Sequence, residues 1–104
     1  MATRKEYMDF VLEQLFDLDE ITSRSMMGEY IIYYRGKIVA YVCDDRLLVK
    51  PVEAAQKLMP DAPMELPYEG AKEMLLVKQV DDRVFLKTLF EAVVDQIPEP
   101  KMKK

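Results

Sequence analysis

Apolar and polar positions change their period along the chain. Tyr7, Phe10, Val11, Leu15 and Leu18 recur at helical spacing, interrupted only by Gln14, and predict a first helix over residues 4–17. Thr3 with Glu6 three residues later has the spacing of a capping box at its start. From Tyr30 the pattern becomes that of strands. Tyr30–Tyr34, Ile38–Cys43 and Arg46–Lys50 are rich in β-branched and aromatic residues, with Arg35-Gly36 and Asp44-Asp45 as breakers of hairpin-turn length. Together they predict a three-stranded antiparallel meander. Pro51 suits the first turn of a second helix, Val52–Met59, which Pro60 stops. The link PDAPMELPYEG that follows has room for a short edge strand near Met64–Tyr68, where proline is tolerated. Glu73–Lys78 is a further strand. Asp81 is expected to cap a third helix, whose stripe is Leu86, Leu89, Phe90, Val93 and Ile97 and whose end is Pro98.

The predicted order is α-β-β-β-α-β-β-α, an α+β domain of two layers with helices on an antiparallel sheet. One domain is expected over 1–104, with its core in 4–97 and a loose basic tail over 98–104.

Two-residue turns set a register in which Tyr34 faces Lys37, Ile32 faces Val39, Tyr30 faces Tyr41, and Tyr41 faces Leu48. Side chains alternate between faces. One face then carries Ile31, Tyr33, Ile38, Ala40, Val42, Leu47 and Val49, and is assigned to the core. The other carries Tyr30, Ile32, Tyr34, Val39, Tyr41 and Leu48, with Lys37, Cys43, Arg46 and Lys50 at its edges. An apolar, tyrosine-rich face on the open side of a sheet has the character of an interaction surface. The assignment depends on turn length, since a three-residue bulged loop would swap the faces of the following strand.

Composition narrows the chemistry. There is no histidine and one cysteine, Cys43, so Ser–His or Cys–His nucleophile pairs are excluded and a zinc site is disfavoured. Three glycines, at 28, 36 and 70, cannot form a phosphate-binding loop. Net charge is −4, which argues against binding to duplex DNA. No apolar run reaches the roughly 20 residues of a membrane helix, and the N-terminus lacks an apolar signal core, so the cytoplasm is the expected location. Asp44-Asp45 and Asp81-Asp82 occupy turn and cap positions, which accounts for them without catalysis. Cys43 has no cation-rich surroundings to activate its thiol and is read as structural. Arg24 is expected to pair with the acidic turn at 17–20. Met26-Met27-Gly28 reads either as a strand entry, with methionines filling gaps, or as an adaptable partner-binding lip.

The stretch Arg24-Ser-Met26-Met27-Gly28-Glu-Tyr30 resembles the signature of the TfoX/Sxy N-terminal domain. The turn Arg35-Gly36-Lys37, the run Asp45-Arg46-Leu47 through Lys50, the pair Pro67-Tyr68 and Met74 continue the likeness in order, over about residues 5–97. The resemblance implies a two-layer fold like that of secretion chaperones. The family has no established catalytic residues to carry over, and no cofactor or metal is expected. The family's best-known members regulate competence for DNA uptake and carry a second, C-terminal domain, which is expected to begin where this chain stops.

The expected function is therefore a non-enzymatic regulatory protein-interaction module, forming a homodimer and binding a protein partner through the face of Tyr30, Ile32, Tyr34, Lys37, Val39, Tyr41, Arg46 and Leu48. The competing expectation is a single-strand nucleic-acid module that stacks bases on Tyr30, Tyr34 and Tyr41 beside Lys37, Arg46 and Lys50.

Overall fold

The computed structural model describes residues 3–26, 29–67 and 69–97, with Met26 described by its backbone alone. Expectations for Met27-Gly28, Tyr68, Pro98 and the 98–104 tail lie outside those residues. The elements are α1 (Lys5–Gln14), β1 (Ile21–Met26), β2 (Glu29–Tyr34), β3 (Lys37–Cys43), β4 (Arg46–Val49), α2 (Glu53–Leu58), β5 (Met64–Glu65), β6 (Met74–Val77) and α3 (Arg83–Gln96). The α+β class is as expected, with one strand more. β1 was not anticipated because ITSRSM is largely polar. It lies at the sheet edge, paired with β2 alone, and its residues 22–25 are exposed, so it needs few apolar side chains.

All strands pair antiparallel, in the order β1-β2-β3-β4-β6-β5. The two hairpin turns have the expected length. Arg35, Gly36, Asp44 and Asp45 all hold positive φ, as the tight turns that suit strand twist require. A β-bulge lies beyond the first turn. Tyr34 pairs with Lys37 and Tyr33 with Ile38, but Ile32 then pairs with Ala40 and Tyr30 with Val42, which leaves Val39 as an extra residue on β3. Val39 and Ala40, neighbours in sequence, both enter the core.

Helices α1, α2 and α3 all contribute to one core cluster. Met8, Val11, Leu15, Ala55, Leu86, Leu89, Phe90 and Val93 pack there with Ile32, Tyr34, Val39, Ala40, Val42, Leu47, Val49, Leu75 and Val77. The helices therefore cover one face of the sheet. Burying each large apolar side chain contributes about 1.5–3 kcal/mol.

Both anticipated helix starts move. The Thr3 side chain does not cap α1, whose N-cap is Arg4. Buried Thr3 instead sets its hydroxyl 3.1 Å from the Val42 carbonyl and 3.0 Å from Glu29 Oε1. The Arg4 amide and guanidinium both donate to Asp45, at 3.0 and 2.8 Å, and these hydrogen bonds hold its carboxyl below the usual range. At α3 the cap is Asp82 and not Asp81, and its carboxylate accepts the Phe85 amide at 3.0 Å.

Candidate interaction face

The bulge decides what the second face of the sheet presents. Register places Ile31 and Tyr33 of β2, Ile38, Tyr41 and Cys43 of β3, Arg46 and Leu48 of β4, and Leu76 of β6 on the side away from the helices. The expected face is thereby divided. Tyr41, Arg46 and Leu48 lie on the second face, and so do Ile31, Tyr33 and Ile38, which the regular register had assigned to the core. Ile32, Tyr34 and Val39 lie in the core, with Tyr34 only 3% exposed, and Tyr30 packs against that core from the same side. The face swap follows from one extra residue, since a shift of one inverts every side chain beyond it.

Lys37 also belongs to the helix side. Its Nζ donates to the carbonyls of Val94 and Ile97, at 3.2 and 2.9 Å, and so closes the C-terminus of α3, which has no basic residue of its own in the last turn. Arg35, beside it, stacks over the Tyr34 ring with its guanidinium carbon 4.8 Å from the centroid. Arg24 stands on the exposed edge strand opposite Ile31 and makes no ion pair with Asp17, Asp19 or Glu20. The expected pairing fails because β1 carries it away along the sheet.

The second face is not uniformly open. Cys43 and Leu48 are fully buried although they lie outside the core cluster that the helices join. Burial pushes the Cys43 thiol up to about 12, and the nearby Glu29 carboxylate adds to the shift. This agrees with its structural reading. Arg46 binds the proline-rich segment down: Nη1 reaches Glu65 Oε1 at 2.7 Å, Nη2 the Leu66 carbonyl at 3.1 Å, and Nε the Cys43 carbonyl at 3.2 Å. Beyond that clamp lies a cleft of about 460 Å³, lined by Tyr41, Lys50, Pro51, Pro67, Gly70, Ala71, Lys72, Glu73 and Met74. Gly70, at φ +89°, provides the left-handed bend in the loop that forms its wall.

The open part of the face is a strip of half-buried Tyr33, Ile38 and Tyr41 across β2 and β3. Sequence reasoning found Tyr41 and missed the other two. The one available signal was the unbroken apolar run Ile38-Val39-Ala40, which does not alternate as a regular half-buried strand should. Lys50, Pro67 and Met74 converge on the cleft from three separate segments, which no local pattern could announce. Tyr30, Tyr34 and Tyr41 do not share a surface, so the base-stacking arrangement expected of them is not formed. Among the described residues there is no cluster of carboxylates and thiol able to hold a metal ion. No helix among them is long and apolar enough to cross a membrane.

A curated relative from Spirochaeta aurantia, described as an uncharacterized 12.7 kDa protein in the trpE 5′ region, is 30% identical over 105 residues, spanning 100% of this chain and 91% of its own length. The sequence model of the TfoX N-terminal domain matches residues 13–95, a span that runs from the end of α1 to the last turn of α3 and takes in the bulge, the clamp and the cleft. The chain belongs to the TfoX N-terminal domain family.

Proposed function

We propose that this chain is a non-enzymatic regulatory interaction module that acts in the cytoplasm and pairs with a second copy of itself through the second face of its sheet. The observation that carries the reading is the strip of Tyr33, Ile38 and Tyr41, half-exposed on the side the helices leave uncovered. Apolar surface with hydroxyl tips is the composition favoured at the centre of protein interfaces. Exposed Arg24 on the edge strand supplies a charged rim beside it. Family membership supports a regulatory role. The reading gives no part to Lys37 or Arg46, whose charges are already engaged within the fold.

The test is the mass in solution by size exclusion with light scattering, over a tenfold concentration range. The expected result is a dimer that Tyr33→Glu with Ile38→Glu converts to a folded monomer. A wild-type chain that stays monomeric throughout overturns self-association through this face.

A further inference from the structure

The cleft at the end of the second face has the make-up of a small-molecule site. Its volume, about 460 Å³, falls within the range of about 300–1,000 Å³ occupied by such sites. Its walls are apolar: two proline rings from Pro51 and Pro67, the Tyr41 ring, Ala71 and the thioether of Met74. Proline rings and a tyrosine face offer flat surfaces, and a methionine sulfur contacts aromatic rings favourably. Pro67 and Met74 are themselves buried, so these walls belong to the folded body of the protein. The Arg46 clamp on Glu65 and Leu66 holds the segment leading into Pro67, which keeps the wall in place without a ligand.

The rim carries the charge. Lys50 is half-buried where β4 ends, with its backbone amide tied to the Val39 carbonyl at 3.1 Å. Lys72 and Glu73 stand exposed on the loop. None of these three charged side chains makes an ion pair among the described residues. Two ammonium groups against one carboxylate leave the rim with a single net positive charge, which suits a monoanion whose apolar body enters the slot.

We infer that this cleft binds a small aromatic monocarboxylate, with the ring between Pro51, Pro67 and Met74 and the carboxylate at Lys50 and Lys72. Binding there does not depend on self-association, because the cleft is built within one chain. Tyr41, one of its walls, also belongs to the proposed pairing strip, so occupancy and pairing meet at one residue.

The experiment is a titration of the full chain with phenylacetate, followed through its backbone amide resonances, with phenylacetamide and acetate as comparisons. Saturable shifts confined to the amides of Tyr41, Lys50 and 70–74 are expected from phenylacetate, with weaker binding of the neutral amide and none of acetate. Lys50→Gln is expected to weaken phenylacetate about tenfold, the loss of one charge-assisted hydrogen bond. Lys72→Gln, at an exposed position that cannot endanger the fold, is expected to weaken it by a smaller factor. No saturable shift at about 10 mM, where ordinary weak fragments already bind, overturns the site. Equal binding of acid and amide, or shifts centred elsewhere, overturns it as well. A monomeric chain that still shows these shifts leaves the site standing while removing the pairing proposal.

Discussion

Cations and tyrosines read as partner-facing turn out to serve the fold wherever an unsatisfied group lies within reach. Lys37 meets the open carbonyls of α3, and Arg46 meets Glu65 and the Leu66 carbonyl. A long charged side chain settles on such acceptors because leaving them bare costs about 1–3 kcal/mol when they are buried. Sequence shows the charge but not the acceptor, which comes from distant positions. Cys43 was legible, because Arg46 is its one basic neighbour in the predicted hairpin and neither a histidine nor a cation-rich helix start stands beside it. Its ordinary ionisation lies at 9.0 and its folded value near 12. The folded protein thus keeps a proton that the unfolded chain releases between those values. The associated stability is complete below about pH 9 and declines as pH rises toward 12. Urea midpoints at about pH 8 and about pH 10.5 should therefore separate in the wild type more than in Cys43→Ala. An equal fall in both would assign the effect to other groups. At pH 8 the native thiol should also label far more slowly than the unfolded one.

At the scale of elements, periodicity located the three helices, the meander, the final strand and both turns. It failed where one element's state depends on another. Edge strand β1 is stabilised by backbone pairing to β2, so its side chains need not announce it. The bulge at Val39 lets Ile32 and Tyr34 enter the core on the same side as Ala40 and Val42 and leaves Lys37 at the end of α3, a condition with no local signature. Deletion of Val39 tests this directly. It restores the regular register and turns either β2 or the rest of the meander inside out, exposing Ile32 and Tyr34 or Ala40 and Val42. The expected outcome is loss of the cooperative thermal transition, together with loss of the dispersed methyl resonances of a packed core. A deletion variant that unfolds cooperatively near the wild-type temperature would show that the register is not coupled to the core in this way.

At the scale of the molecule, three helices pack on one face of the sheet, and the other face carries a clamped loop, the Tyr33–Ile38–Tyr41 strip and the cleft beside Lys50. Phe90, fully buried on α3, lies in the cluster that joins helices to sheet. Phe90→Ala should cost about 3–5 kcal/mol, a large part of the roughly 5–15 kcal/mol available to a domain. The check is the shift in the denaturant midpoint at unchanged slope. A loss under about 1 kcal/mol would mean that the layers are not held there. The amino-acid sequence by itself determined the α+β class, the helix stripes, the turn positions and the family, because each of these is written in local spacing or in residues that follow one another in order. Which face of β2 meets the helices, which cations remain free, and that Lys50, Pro67 and Met74 line one cleft were decided only by the tertiary structure. Those outcomes depend on a single inserted residue in the β2–β3 ladder and on contacts between segments far apart in the chain, where packing and hydrogen-bond satisfaction outweigh local preference.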